Sequence, residues 1–117
     1  MPNPTMWFEV AGKDRQALKS FYTDLFNWKL QDSEQMPYSM IDAADGGIPG
    51  GIGEAPDGYP GHVTFYVQVD DIEASLAKAE SLGGKRMMGP MDLPGGGQIA
   101  LFTDPEDHVI GLMTEMG

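Results

Sequence analysis

The strongest constraint on the fold is an internal repeat, because the chain matches itself when it is shifted by 57 residues. The shift places Phe8 on Phe65, Val10 on Val67, Asp14 on Asp71, Leu25 on Leu82 and Asn27 on Gly84. Both halves read as strand, helix and three strands, over about residues 5–53 and about residues 62–114. Since a repeat of long period reports architecture, the sequence predicts a single α+β domain, 1–117, made of two βαβββ repeats.

Strict alternation marks the first strand of each repeat, in TMWFEVAGKD (5–14) and in HVTFYVQVDD (62–71). A helix follows each strand, with Asp14 as the first N-cap and Asp70 or Asp71 as the second. Two glycine-rich stretches, GGIPGGIG (46–53) and PGGGQ (94–98), match neither form of phosphate-binding loop, so they are interpreted as flexible or tightly turned.

The alternation also assigns residues to faces of the predicted sheets. We expect each repeat to curl a mixed sheet around a shared hollow, forming a cup with the helices outside. The residues expected under the helices are Phe8, Val10, Phe65 and Val67. The residues expected to line the hollow are Trp7, Glu9, Thr64 and Tyr66. Small-molecule sites are concave and aromatic, but the same residues also suit a plain sheet-to-sheet contact.

Charge and composition exclude several classes of partner. The chain has 18 acidic and 7 basic residues and a net charge of -11. Nucleic acids and anionic membrane surfaces need Lys and Arg, so neither is an expected partner. Cysteine is absent, which excludes disulfides and thiolate metal sites. No apolar run has the length of a membrane span, and we expect a cytoplasmic protein.

Four segments together resemble a known superfamily. They are WFEV, KDRQALKSFYTDLFNWKL, FYVQVDDIEASLAKAESLGGK and GPMDLPGGGQIALFTDPEDHVIGL. Their order and spacing resemble the vicinal oxygen chelate superfamily, the glyoxalase/bleomycin-resistance/dioxygenase group. The resemblance implies paired βαβββ units, a cup in which many members hold a divalent metal, and often a homodimer.

The resemblance also implies where metal ligands would stand. Carried over by motif, these positions fall on Trp7, Thr64 and Gly111. Tryptophan has no suitable donor atom, a threonine alone is a weak ligand, and glycine has no side chain. The chain therefore resembles the small members that look metal-free, and we expect no cofactor. A divalent metal is the alternative.

The first functional hypothesis is a metal-independent binding protein whose homodimer holds a small organic molecule, aromatic or cationic, in each aromatic cup. Bleomycin-type sequestration is one version of it. Trp7, Tyr66 and Met113 would supply contact area and Glu9 would orient the ligand. Thr64 and Gly111 complete the set of predicted ligand-binding residues.

The alternative hypothesis is an enzyme of the same superfamily, a lyase or isomerase that uses Glu9 or His62 as acid or base. His62 shares a face with Thr64, and with Glu9 or Glu54 it would form an acid–base or metal site. The competing interpretation is an exposed histidine at the start of a strand. His108 follows a turn and is expected to be solvated. A third hypothesis is an interaction module whose hollow has collapsed.

Overall fold

The structure is a computed structural model that describes residues 2–43 and 47–115. The chain divides into two compact units. We call Trp7–Val63 the N-terminal unit, and Thr64–Gly117 with Met1–Met6 the C-terminal unit. Gly46 of the predicted glycine-rich turn lies outside the described residues.

The order of elements confirms the duplicated α+β arrangement. The elements are β1 (Thr5–Gly12), α1 (Arg15–Phe26), β2 (Leu30–Asp32), β3 (Tyr38–Ile41), β4 (Gly50–Glu54), β5 (His62–Gln68), α2 (Ile72–Ser81), β6 (Lys85–Asp92), β7 (Gln98–Thr103) and β8 (Val109–Met113). Each half therefore runs βαβββ. The first strands of the two halves begin 57 residues apart, and so do their helices.

Both helices begin at the predicted caps. The Asp14 side chain accepts a hydrogen bond from the backbone N–H of Ala17, and the Asp71 side chain accepts one from that of Ala74. Each carboxylate satisfies an N–H group that has no partner within the helix. α1 ends at Asn27, whose φ of 59° is left-handed, as expected for an asparagine that stops a helix.

In the N-terminal unit the strands lie in the order β2-β3-β4-β1, with β4 parallel to β1 and antiparallel to β3. β4 is the glycine-rich segment, so the interpretation of residues 50–53 as a turn is wrong. Gly50, Gly51, Ile52 and Gly53 are all buried. The run forms a central strand because the neighbouring strands satisfy its backbone hydrogen bonds, and rings from those strands fill the space that its side chains lack.

Aromatic rings and a polar cluster join α1 to its sheet. The Phe8 and Trp28 rings lie 5.5 Å apart, and Tyr22 of α1 stacks on Trp28 at 5.3 Å. Beside them, Arg15 Nη1 donates to the buried Ser39 hydroxyl at 2.6 Å. The packing confirms that Phe8 lies on the helix side of β1.

In the C-terminal unit the strands lie in the order β5-β8-β7-β6. Its core consists of Ile72, Leu76, Ala100 and Leu112, with Val67, Val69 and Phe102 packed against them. Val67 therefore lies under α2 as predicted, but Phe65 is 42% exposed. The prediction for Phe65 is wrong because the residues that pack on the α2 core lie further along the chain, at Val67 near the end of β5 and Val69 just after it.

Neither helix of the described residues has the length and apolar character that crossing a membrane requires.

Candidate functional site

One side of the N-terminal sheet gathers aromatic and titratable side chains. On β1 the alternation places Trp7 and Glu9 on the side opposite to Phe8. The register with β4 agrees, because Glu9 pairs with Gly51, whereas Phe8 pairs with Gly50 and its ring lies over that residue. We call the side that carries Trp7 and Glu9 the Trp7 face.

A tyrosine from β3 lies on this face. A Cβ atom at Gly51 would lie 2.2 Å from the Tyr38 hydroxyl oxygen, and one at Gly53 would lie 3.2 Å from the ring. The Tyr38 ring thus lies over the glycines of β4. Its hydroxyl accepts a hydrogen bond from Trp7 Nε1 at 2.8 Å. Since the bond fixes both side chains on a floor without side chains, it builds a rigid aromatic surface.

Further along the same face, three side chains form a hydrogen-bonded chain. His62 Nε2 lies 2.6 Å from Glu9 Oε2, and His62 Nδ1 lies 2.7 Å from the Tyr59 hydroxyl. The His62 and Glu9 side chains are only 9% and 11% exposed. The interpretation of His62 as an exposed strand-start residue is therefore wrong, because both ring nitrogens are engaged and its ring is buried.

The loop that carries Tyr59 is tied to the end of β1. The backbone N–H of Ala55 donates to the Gly12 carbonyl at 2.8 Å, and Lys13 Nζ donates to the Pro56 carbonyl at 3.3 Å. Gly61 has φ of +102°, and a Cβ atom there would lie 2.1 Å from the Ala11 carbonyl oxygen. Only glycine allows the loop this close to the strand, and the approach brings Tyr59 beside His62.

The bonding partners determine where the protons lie. An ionised carboxylate only accepts hydrogen bonds, so His62 Nε2 carries a proton toward Glu9. In a neutral imidazole Nδ1 is then an acceptor, and the Tyr59 hydroxyl donates to it. Burial, together with the negative charge of Glu9, raises the pKa of the Tyr59 phenol. Tyr59 is therefore un-ionised at neutral pH, with its proton directed at His62.

The predicted residues of the C-terminal unit make structural contacts within that unit. The Thr64 hydroxyl donates to the Val109 carbonyl at 2.6 Å. Tyr66 is 5% exposed, and a Cβ atom at Gly111 would lie 2.5 Å from its ring. Met113 lies at the end of β8, opposite Gln68. The Tyr66 ring thus occupies the space that a side chain at position 111 would need.

These contacts bear on the divalent metal that the resemblance implies for many members. At the three implied positions, Trp7 and Thr64 use their polar hydrogens within the protein, and the Tyr66 ring fills the space beside Gly111. Within residues 2–43 and 47–115, no three His, Cys, Asp or Glu side chains approach closely enough to hold a metal ion. The residues present do not fit that metal site.

Sequence reasoning found part of the Trp7 face and missed two members. Trp7, Glu9 and His62 were predicted, and the structure brings Glu9 and His62 into contact. Tyr38 and Tyr59 were missed, the latter because it lies between the two predicted repeats. The available signals were the alternation in PYSMIDA for Tyr38 and, for Tyr59, a loop tyrosine three residues before His62.

His108 is 69% exposed and bonds to Asp104, which agrees with the solvated position expected for it. The C-terminal unit also has an open, largely apolar groove of about 370 Å³ beside α2. Val67, Leu82 and Phe102 line it, with Lys78 and Asp104. The predicted ligand-binding residues lie elsewhere.

Comparison with known proteins identifies the family. Residues 6–112 match the sequence profile of the glyoxalase/bleomycin resistance protein/dioxygenase superfamily. Putative glyoxylase CFP32 of Mycobacterium tuberculosis is 34% identical over 117 residues, covering 91% of this chain and 43% of that protein. Anthracycline biosynthesis protein DnrV of Streptomyces peucetius is 31% identical over 122 residues, covering 89% of this chain and 44% of that protein. The chain thus spans less than half the length of these curated relatives.

Solved structures show the same fold at low identity. A superfamily member from Vibrio splendidus superposes with a TM-score of 0.65 at 13% identity, covering 97% of this chain and 100% of that one. Methylmalonyl-CoA epimerase from Mycobacterium tuberculosis superposes with a TM-score of 0.63 at 11% identity, covering 97% and 88%. Sequence profile, relatives and fold agree, and the chain belongs to the glyoxalase/bleomycin resistance protein/dioxygenase superfamily.

Proposed function

We propose that this chain binds a small organic molecule on the Trp7 face without a metal ion. One observation carries the proposal: the Trp7 indole and the Tyr38 ring are joined by a 2.8 Å hydrogen bond above the glycines of β4. Aromatic rings held in place contribute large contact area at little entropic cost. The absence of side chains at Gly51 and Gly53 lets the Tyr38 ring lie close to the backbone of β4.

The family's metal positions support binding without a metal ion. A divalent ion needs several oxygen or nitrogen ligands, but the implied positions hold Trp7, Thr64 and Gly111. His62 is a candidate ligand on the same face, and both of its ring nitrogens are already hydrogen-bonded. Elemental analysis of protein purified without chelators should find well under one equivalent of nickel, zinc, iron or manganese. A full equivalent would overturn this part of the proposal.

The preferred ligand is planar and aromatic, with a cationic group as an added feature. Stacking on Trp7 and Tyr38 favours flat molecules, and the net charge of -11 favours cations over anions. A relative is named an anthracycline biosynthesis protein. For that reason the first probe is daunorubicin, a cationic anthracycline. Sequestration of such a drug is one form that this function would take.

The test uses a thermal-shift screen that starts with daunorubicin and continues through planar amines and planar acids. A ligand of the native state raises the melting temperature. Trp28→Phe leaves Trp7 as the sole tryptophan, so a bound ligand should quench its fluorescence. Trp7→Ala should abolish the thermal shift, whereas Trp28→Phe, the matched control, should keep it. Equal shifts in the two variants would refute the Trp7 face as the binding site.

An enzyme is the second candidate, and the 2.6 Å contact between His62 and Glu9 favours it. A histidine paired with a carboxylate is a recurrent acid–base arrangement. The reaction class would be that of a lyase or isomerase, which moves a proton on the bound molecule. The epimerase neighbours share the fold at 11–19% identity and do not identify the reaction.

We further propose that two copies of the chain associate. Phe21, Leu25 and Phe26 of α1 are each more than half exposed. Exposed apolar residues that cluster on one surface mark an interaction site. The resemblance implies that family members often form homodimers, which supports a second copy of the chain as the partner.

A further inference from the structure

We infer that Tyr59, His62 and Glu9 form a proton relay in which the Tyr59 hydroxyl is the group that meets the ligand. The inference rests on the proposed function for one point, namely that the ligand lies on the Trp7 face. The chemical class it implies is a carbonyl compound with an acidic C–H bond next to the carbonyl group. Tyr59 is then the catalytic residue, and His62 and Glu9 are positioning residues that act through it.

The geometry places Tyr59 at the outer end of the hydrogen-bonded series that runs from Glu9 through His62. His62 uses Nε2 on Glu9 at 2.6 Å and Nδ1 on Tyr59 at 2.7 Å, so its ring has no nitrogen left for a ligand. Glu9 is buried on β1 at the other end. Tyr59 lies on a surface loop and is only partly buried. Its oxygen gives its proton to His62 and keeps lone pairs for another partner.

The arrangement follows the logic of a Ser–His–Asp triad with a phenol as the terminal hydroxyl. The Tyr59 oxygen takes the acidic C–H proton of the ligand while its own proton passes to His62 Nδ1. The ligand becomes an enolate and His62 becomes an imidazolium, whose charge the Glu9 carboxylate stabilises. The reverse transfer returns every proton, and it completes an isomerisation when the enolate has turned its opposite face toward Tyr59.

The local electrostatics favour the relay. Burial and the Glu9 charge raise the pKa of Tyr59, so a free phenolate is scarce at neutral pH. Tyr59 then reacts only when its proton leaves as the new bond forms, and His62 is placed to accept it. A hydroxyl without such a base, like that of Tyr22 on α1, has no comparable route.

The test measures this activation with 4-nitrophenyl acetate, whose use needs no knowledge of the natural ligand. The Tyr59 oxygen attacks the acetyl carbon, the bond to 4-nitrophenolate breaks, and the phenol proton passes to His62. The product is O-acetyl-Tyr59. Peptide mass spectrometry compares acetylation at the four tyrosines, Tyr22, Tyr38, Tyr59 and Tyr66. Tyr59 should react first, and its rate is measured across a range of pH.

Two variants separate chemistry from structure. His62→Gln keeps a buried polar group and should slow acetylation of Tyr59 by about 100-fold, the lower range for a positioned general base. Glu9→Gln should slow it less and change its pH profile. Circular dichroism checks that each variant is folded; should His62→Gln fail to fold, Glu9→Gln carries the comparison.

The outcomes also separate this inference from the proposed function. Acetylation of Tyr59 no faster than that of Tyr22, or a rate unchanged in both variants, overturns the relay even if daunorubicin binds. Fast, His62-dependent acetylation with no ligand shift at Trp7 supports the relay and rejects only the binding proposal. Tyr59→Phe should remove the rapid reaction and leave the slow background at the other tyrosines.

Discussion

At the scale of single residues, Gly111 and Tyr66 act as a matched pair across β5 and β8. The two residues are partners in the parallel register, and the buried Tyr66 ring lies where a side chain at 111 would begin. The resemblance places a metal-binding carboxylate at position 111 in other members. The ring and that carboxylate exclude each other, so the glycine is explained by packing and the implied metal ligand is lost with it.

The pair predicts a steric penalty at position 111. Gly111→Ala places a Cβ atom 2.5 Å from the Tyr66 ring, which must move within a buried sheet. Overpacking of this kind costs about 1–3 kcal/mol, and urea unfolding should show it. In a Tyr66→Leu background, where the ring is gone, the same substitution should cost far less. Equal costs in the two backgrounds would contradict the steric explanation.

A second residue-scale prediction concerns the Tyr59 phenol. Burial and the Glu9 charge both raise its pKa above the ordinary value of about 10. Glu9→Gln removes the charge but not the burial, so the pKa of Tyr59 should fall while staying above the ordinary value. An ultraviolet difference titration against Tyr59→Phe isolates this tyrosine. Glu54→Gln, at the exposed end of β4, is the control, and the titration should not move.

At the scale of elements, β4 is an example of a strand that local sequence alone does not predict. Glycine weakens a strand and favours turns, so GGIPGGIG predicts a turn from its composition alone. The strand forms because β1 and β3 bond it on both edges and because the Phe8 and Tyr38 rings fill the missing side-chain volume. Both reasons are long-range contacts. The helix cap at Asp14 was predicted correctly, and Asp71 was one of two candidates for the second cap, because cap bonds are local.

The contact between α1 and the β2–β3 hairpin gives an element-scale prediction about acid. Hydrogen bonds from Lys19 and Ser39 lower the pKa of Asp32 from 3.8 to about 2. A lowered pKa in the folded state stabilises the fold above the ordinary value, and the contribution disappears as pH falls through about 4 to about 2. Urea midpoints should therefore drop in this window.

The matched variants test the assignment to Asp32. Asp32→Asn should lower stability at neutral pH and flatten the acid dependence, because its amide does not titrate. Asp24→Asn, which removes an exposed carboxylate of α1, should keep the acid dependence of the unmodified chain. An unaltered acid dependence in Asp32→Asn would show that another carboxylate is responsible.

At the scale of the whole chain, the repeat explains both what sequence predicted and what it missed. A 57-residue shift fixed the α+β class, the order of elements and the helix starts, since these depend on periodicity and caps. Contacts between side chains were harder to predict from the sequence. The pairing of Glu9 with His62 joins residues 53 apart in sequence, and Tyr59 joins them only because Gly61 lets its loop approach β1.

The last prediction concerns the association of two chains. Phe21 and Leu25 are one turn apart on α1 and are 58% and 57% exposed. In a twofold-symmetric dimer both subunits contribute the same patch to the interface, so one substitution changes the interface at two positions. Light scattering after size exclusion should find a dimer in the unmodified chain. Leu25→Arg should convert it to a folded monomer, because an exposed position tolerates the change within about 0.5 kcal/mol.

Leu82→Arg provides the control for that experiment. Leu82 is 70% exposed and belongs to the C-terminal unit, so its substitution adds the same charge to the unit that does not contain α1. The dimer should persist in this variant. A monomeric unmodified chain would reject association, and a dimer lost only in Leu82→Arg would move the interface to the other unit. The α1 surface is the proposed interface because its aromatic and aliphatic side chains are exposed to water. The neighbouring Tyr22 and Trp28 rings differ, since they stack on each other.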